Sequence, residues 1–286
     1  MTETELEYFA RPGPATDLSD YSELIDALPS DPKALAQVVR GLILHDGVAA
    51  LQGLSFSAER RADRNRVGAA TTLEGVLAVD GSPLTVERPV ERRMLGYCYH
   101  FALLHCAFLR AKGIPARARC GFAAYYRQGA WIDHWVAEYW GADGWMLIDP
   151  DSGRDSLTCD DFRDGGTAWL RCRAGESDPF RYGNHVLWGW DELRGSLVND
   201  LGALNKVEIG NWSWCELLKV EPLDQPNATL DPLLDAVATA VSGARSVEEL
   251  ERAYQCDVRL QPPITLLTNE RNEGVPDNTA LERTRA

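Results

Sequence analysis

Three residues of this chain have side chains that together could perform nucleophilic chemistry, namely Cys98, His134 and Asp149. Cys98 stands where an irregular stretch gives way to a helix-like one, and the unpaired N–H groups of a first helical turn favour a thiolate. A histidine can take the proton of a thiol, and an aspartate can hold the imidazole and stabilise its protonated form. Their order along the chain therefore predicts a thiol nucleophile, a base and an orienter.

The remaining cysteines are expected to be inert, because most cysteines behave as small buried hydrophobes. Cys106 falls on the same predicted helix as Cys98 and is expected to pack in the core, whereas Tyr97, Tyr99 and His100 give Cys98 a different setting. The seven cysteines are an odd number with irregular spacing and no CxxC pair. Neither a disulfide framework nor a structural zinc site is therefore expected, and a reducing, cytoplasmic compartment is the default.

Hairpin geometry places His134 and Asp149 on one face of a predicted sheet. Two strands, 131–140 and 145–149, flank a run of turn residues at 141–144. With that turn, Asp149 lies opposite Val136. Val136 is two residues after His134, and residues two apart in a strand share a face. The two side chains then become diagonal neighbours, about 7 Å apart at Cα. A register slip of one residue would separate them.

The order of the predicted elements indicates an α+β fold. Residues 98–112 read as an apolar helix ended by Gly113, and residues 116–126 as a strand ahead of the hairpin. Asp31-Pro32 is typical of a helix start, with an N-cap followed by proline at the first helical position. Further helices are predicted at 19–28, 32–45, 72–79, 167–174, 190–205, 230–241 and 246–255.

Composition limits the classes of partner. The chain has 286 residues and a net charge of −14, which argues against nucleic acid, because phosphate contacts need clustered Lys and Arg. No secretory signal is visible, and no apolar run approaches the ~18 residues of a membrane span. We find no phosphate loop, no dinucleotide fingerprint and no metal-ligand spacing, so no cofactor and no metal are expected.

Several short motifs together resemble the transglutaminase-like superfamily. They lie within about residues 90–152 and comprise Gly96-Tyr97-Cys98, Phe101-Ala102, 113–117, 134–138 and 145–150. The flanking segments are similar to bacterial stand-alone members. The resemblance implies a papain-like core in which the cysteine opens a helix packed on an antiparallel sheet. It also implies Cys98 as nucleophile, His134 as base and Asp149 as orienter.

With that core, the chain is expected to form one domain with helical additions. A helical region at 1–90 would pack on a transglutaminase-like catalytic core at 91–155. A mainly helical region at 156–268 of the same domain would follow, and then a disordered tail at 269–286.

Four further residues are candidates for substrate binding. His100 occupies a position that is commonly acidic in the relatives, where it could stabilise the thiolate or bind a substrate carboxylate; the alternative is a surface histidine. Trp135 adjoins His134 on the opposite face of its strand. Asn205 and Lys206 end an apolar helical stripe beside Trp212 and Trp214, and they either line a pocket or belong to a capped helix with an exposed end.

Two other histidines have structural interpretations. His45, before Asp46-Gly47, is predicted to be a cation at a helix C-terminus. His105 shares a helix side with Cys98 and is predicted to be buried and hydrogen-bonded.

Two functions from different classes follow. The first is cysteine-dependent acyl transfer through an acyl-thioester on Cys98, either amide hydrolysis or amide formation in a biosynthetic pathway. Its substrate would be a small molecule, a peptide or an acyl group bound to a carrier protein. The second is a catalytically silent binding or scaffold protein with the same fold. Acyl donor, acceptor and oligomeric state stay open at this point.

Overall fold

A computed structural model describes residues 2–210, 215, 225–242 and 246–262. Its helices are α1 Glu3–Ala10, α2 Ser22–Asp26, α3 Pro32–Leu42, α4 Asp46–Leu51, α5 Ala58–Ala62, α6 Ala69–Val79, α7 Cys98–Ala111, α8 Gly165–Arg173, α9 Trp190–Leu204, α10 Asp231–Val241 and α11 Val247–Gln255. Its strands are β1 Ile43–His45, β2 Met94–Gly96, β3 Ala116–Ala123, β4 Trp131–Gly141, β5 Gly144–Asp149, β6 Arg154–Leu157, β7 Phe162–Asp164 and β8 Tyr182–Gly183. The α+β class is confirmed. None of the helices in these described ranges is long and apolar enough to cross a bilayer.

The contacts divide the chain into two compact units. The first unit contains the described residues within 1–118 and 135–157, and the second contains those within 119–134 and 158–286. The chain changes unit within β3, within β4 and after β6. This division differs from the predicted boundaries at 90 and 155, and the predicted domain organisation stays a prediction.

The principal sheet has the strand order β6-β5-β4-β3-β7, and β8 pairs with β4 beside this path. The pairs β3/β7, β4/β5 and β5/β6 are antiparallel, whereas β4/β8 is parallel. A separate ladder joins β1 and β2 in parallel. Only the three long central strands are predictable from the sequence, because strands of two to four residues carry no readable alternation.

The hairpin between β4 and β5 has the predicted register. Trp140 pairs with Trp145, and Gly141 pairs with Gly144. Gly144 has a φ of 109°, a conformation that a residue with a Cβ adopts only with strain, so glycine suits this turn. The pairing continues to Ala137 and Ile148 without a slip.

Helix α7 lies at the centre of the first unit. Every residue from 99 to 110 is buried, with α3 and α6 among the helices packed against it. Helix α3 starts as predicted, since the Asp31 side chain accepts a hydrogen bond from the Ala34 N–H. It ends at Leu42, however, and the prediction of helix through residue 45 is wrong. Residues 43–45 pair with β2 instead, and β-branched Ile43 suits a buried strand.

The second unit has α9 at its centre, with all fifteen residues buried. Helices α8 and α10 pack against it. A buried ion pair fixes β3 to this helix, because the guanidinium of Arg119 lies 2.9 Å from both carboxylate oxygens of Asp200. The helix predicted at 190–205 is thus confirmed to within one residue. Trp212, Trp214 and the predicted tail from residue 269 lie outside the described residues.

Candidate active site

Cys98 is the first residue of α7 and is partly exposed. Strand β2 leads directly into this position, and Tyr97 between them has an extended backbone. Gly96 suits this close approach, because a Cβ there would lie 3.0 Å from Ile43 and 3.2 Å from the His100 ring. The local sequence therefore presents the Cys98 thiol at a helix start, where unpaired N–H groups and the helix dipole stabilise an anion.

The other cysteines have different surroundings. Cys106, Cys120 and Cys172 are buried, and burial raises the pKa of the Cys172 thiol to about 12. Cys256 is exposed, and partial desolvation and Asp257 raise the pKa of its thiol. Cys98 is therefore the one cysteine in the described ranges that combines a helix start with access to solvent.

Asp149 ends β5 and is completely buried. Its Oδ1 accepts hydrogen bonds from the backbone N–H groups of Asp151 at 2.9 Å and Ser152 at 3.2 Å. The Ser152 hydroxyl donates to Oδ2 at 2.5 Å. These donors hold the carboxylate in one orientation. The observed β4/β5 pairs end at Ala137 and Ile148, one residue before Val136 and Asp149, so the predicted pairing of those two stays a prediction.

His134 lies in β4, and its side chain is only 3% exposed. Two tyrosines of the loop before β4 pack on its ring. The ring centroid of Tyr126 lies 5.0 Å away and that of Tyr125 lies 6.2 Å away. The Tyr126 hydroxyl oxygen is 3.4 Å from His134 Nε2. No motif in the sequence singles out either tyrosine.

His100 is neither a surface residue nor a cation beside the thiol. It is 2% exposed, and burial lowers the pKa of its imidazole to about 4. The Tyr97 N–H donates to Nδ1 at 3.0 Å, and Nε2 lies 3.2 Å from the Arg66 carbonyl oxygen. A neutral ring protonated at Nε2 satisfies both bonds. The surface interpretation is therefore wrong, burial opposes the predicted cationic role, and the side chain caps α7.

His45 is a further histidine that lies beside Tyr97 in the first unit. The β1/β2 ladder sets His45 opposite Gly96, and the His45 Nε2 lies 3.8 Å from an Asp151 carboxylate oxygen. The prediction of His45 as a C-terminal helix cation is wrong, because its Nδ1 accepts from the Gly47 N–H and caps the start of α4. Sequence reasoning missed this pairing because β1 and β2 are about fifty residues apart and both are short.

The remaining candidates have structural contacts. Trp135 is 2% exposed and packs edge-on against Tyr99, with ring centroids 5.4 Å apart. The Asn205 side chain donates to the Leu201 carbonyl at 2.9 Å at the end of α9. Lys206 has a φ of 59°, the left-handed conformation of a residue after a helix C-cap. These contacts fit the capped-helix alternative for 205–206. His105 is buried and bonded through Nε2 to the Pro32 carbonyl oxygen at 2.9 Å, as predicted.

Comparison with known proteins gives one family match. The family model of the transglutaminase-like superfamily matches residues 79–150. A solved structure described as a "putative cysteine protease" from Cytophaga hutchinsonii aligns at 16% identity and a TM-score of 0.36. That alignment covers 57% of this chain and 46% of the other, so this chain spans less than half of that protein. No curated protein matches the chain.

The fold and the site define an α+β protein with a cysteine at the start of a buried central helix. The match to the transglutaminase-like superfamily covers residues 79–150, which carry α7 and β3 to β5. The resemblance drawn from the sequence motifs is confirmed.

Proposed function

We propose that this protein is a cysteine-dependent acyl-transfer enzyme. Cys98 is the nucleophile, His134 is the base and Asp149 orients the imidazole. The observation that carries the proposal is the position of Cys98 as the partly exposed first residue of α7. The family match to residues 79–150, which include all three residues, supports it.

The proposed reaction has two steps. The Cys98 sulfur attacks an amide or thioester carbonyl, and His134 takes the thiol proton and passes it to the leaving amine or thiol. An acyl-thioester on Cys98 results. An acceptor, water or an amine, then attacks this thioester; His134 removes the acceptor's proton and returns it to the Cys98 sulfur. The backbone N–H of Cys98, at the first residue of α7, is the proposed oxyanion donor, because a helix start favours developing negative charge.

The thiol test uses a background that removes competing cysteines. Cys159 and Cys256 are exposed, so we choose the variant C159A/C256A as the parent. Iodoacetamide should label Cys98 in this parent well below pH 8, because a helix start and a histidine favour the thiolate. Adding C98A should abolish that labelling and all turnover. Adding H134N should move the labelling midpoint to higher pH. Full activity with C98A contradicts the proposal, and ordinary thiol reactivity without turnover supports the scaffold alternative.

The acceptor distinguishes a hydrolase from an amide-forming transferase. We propose a small or carrier-bound acyl donor, whose loading adds the mass of the acyl group to Cys98. Loss of this mass can then be timed with water alone and with added amines. Faster loss with an amine, together with an amide product, identifies a transferase. Equal rates and a free acid product identify a hydrolase.

A further inference from the structure

The proposed base carries a contact that the triad does not include. The Tyr126 hydroxyl oxygen lies 3.4 Å from His134 Nε2, and the two rings meet at 65° with centroids 5.0 Å apart. The histidine is 3% exposed, whereas the tyrosine is 46% exposed. Both residues belong to the second unit. The Tyr126 ring therefore shields the imidazole from solvent. Its hydroxyl oxygen is placed where it can form a hydrogen bond with the imidazole.

The loop that carries Tyr126 is held at several points in the same unit. The Ala124 N–H donates to the Asp161 carbonyl at 2.9 Å, and the Arg181 side chain donates to the Gly129 carbonyl at 2.8 Å. The Arg127 guanidinium lies 5.5 Å from the centre of the Trp188 ring. Contacts before and after Tyr126 thus fix the loop, and the phenol has a defined place beside the histidine.

We propose that Tyr126 is a positioning residue that accepts a hydrogen bond from the Nε2–H of His134. This inference rests on the proposed function and deepens it. A proton on Nε2 leaves the lone pair on Nδ1, so Nδ1 is the nitrogen that takes the thiol proton. Asp149, as the proposed orienter, would accept from the same Nε2–H, which the two oxygens would then share in a three-centre hydrogen bond.

A phenol suits this role because its oxygen accepts in both stages of the reaction. The Nε2–H is present in the neutral ring and in the imidazolium, so the same bond orients both forms. The hydroxyl carries no charge at neutral pH, because free tyrosine titrates near pH 10. The distance of 3.4 Å is long for such a bond. Contacts at catalytic groups commonly shorten when substrate binds.

The test compares Tyr126→Phe with Tyr21→Phe. The first change keeps the ring and removes the hydroxyl near His134. The second removes a hydroxyl that bonds to the Glu74 carboxylate at 3.2 Å, in the other unit. Proteins labelled with 15N-histidine report the tautomer directly, because protonated and unprotonated ring nitrogens resonate apart. His134→Asn assigns the signal. The pH profile of Cys98 alkylation gives the second readout.

In the wild type, the His134 signal should show a proton on Nε2 in the neutral ring. Y126F should produce a mixture of tautomers, displace the pH profile and lower the alkylation rate near neutral pH by about tenfold, part of what general base catalysis contributes. Y21F should change neither readout. A proton on Nδ1 in the wild type overturns the inference, as does a Y126F protein identical to wild type. Faster alkylation with Y126F also overturns it, because the hydroxyl would then block the base.

The two proposals fail in different ways. If Cys98 of the wild type reacts as an ordinary thiol without turnover, the acyl-transfer proposal fails, while the tautomer measurement still decides the Tyr126 contact. If Cys98 is activated and Y126F leaves tautomer and profile unchanged, only the positioning inference fails.

Discussion

Asp149 has no exposure to solvent, yet three donors from the turn after β5 satisfy its carboxylate. A buried carboxylate without donors would pay a large desolvation cost and become neutral. The turn at 150–153 therefore has a chemical purpose in the proposed mechanism, since only a charged Asp149 stabilises an imidazolium. The residue types of this turn, Asp, Ser and Gly, are those that form such side-chain to backbone bonds.

This contact leads to a prediction at the residue scale. Ser152→Ala removes the hydroxyl that lies 2.5 Å from Asp149 Oδ2. Because a bond to a charged partner is lost, we expect the free energy of unfolding to fall by about 2 kcal/mol. We also expect the alkylation rate of Cys98 to fall. Ser177→Ala is the control, since the Ser177 hydroxyl pairs with the Tyr182 hydroxyl at 3.1 Å and not with a carboxylate, and it should cost about 1 kcal/mol or less. Urea unfolding measures the free energy of unfolding of both variants. Equal losses in the two variants would contradict the role of Ser152 as a donor to the Asp149 carboxylate.

At the scale of elements, the start of α7 depends on a histidine that carries no charge. His100 replaces the Glu or Gln that commonly reaches back to the N-cap N–H of a helix. Its ring bonds to the Tyr97 N–H and to the Arg66 carbonyl, so one side chain joins the helix start to the chain before α6. The residue beside the proposed nucleophile thus acts on the geometry of Cys98.

We therefore predict that His100→Ala loosens the first turn of α7. The loss of a capping bond should lower the free energy of unfolding by about 1 kcal/mol, and the unpaired Arg66 carbonyl should add to it. The Tyr97 amide should exchange its hydrogen faster, while amides near Ala107 keep their protection. His100→Gln should recover part of the stability, because its amide oxygen can accept from Tyr97. Unchanged exchange at Tyr97 would show that the cap is unimportant.

At the scale of the whole molecule, the buried titratable groups of the two units respond to acid in opposite directions. In the first unit, burial lowers the pKa of His100 and of His105 to about 4. In the second unit, burial raises the pKa of Asp200 to about 6 and raises that of Glu192, with Asp133 adding to the latter. As the pH falls, the folded histidines resist protonation compared with the unfolded chain. The folded carboxyl groups, by contrast, take up protons at a higher pH than they do in the unfolded chain.

The direction of each pKa shift decides whether acid stabilises or destabilises the folded protein. Between pH 6.5 and about 4 the unfolded chain binds protons that the folded histidines refuse, so the first unit loses stability on acidification. The loss is on the order of 3 kcal/mol for each histidine. Between about pH 6 and the ordinary carboxyl range, folded Asp200 is protonated before its unfolded counterpart, so the second unit gains stability.

We predict that hydrogen exchange, followed from pH 7 to pH 4 and corrected for intrinsic rates, separates the units. Amides of α7 should lose protection, and amides of α9 should keep or gain it. In the control His105→Gln, the amide nitrogen can replace Nε2 as the donor to the Pro32 carbonyl without titrating. That variant should lose less protection in α7 than the wild type does. Equal losses in α7 and α9 would contradict the prediction.

Local patterns predicted a large part of this molecule. Asp31-Pro32 opens α3, Gly113 follows the end of α7, and residues 141–144 form the turn that sets the β4/β5 register. Each depends on residues close together in sequence, where backbone preferences and capping decide the conformation. The motifs around Cys98, His134 and Asp149 also pointed to the superfamily whose family model matches residues 79–150.

The sequence by itself thus determined the α+β class, the position of Cys98 at a helix start and the register that precedes Asp149. Only the tertiary structure decided that residues 43–45 are a strand, that His100 is buried and neutral, and that Tyr126 covers His134. The reason is physical: a strand three residues long is stable only through its partner, here β2. Likewise the pKa of a histidine depends on its burial and on nearby groups, which chain order does not reveal.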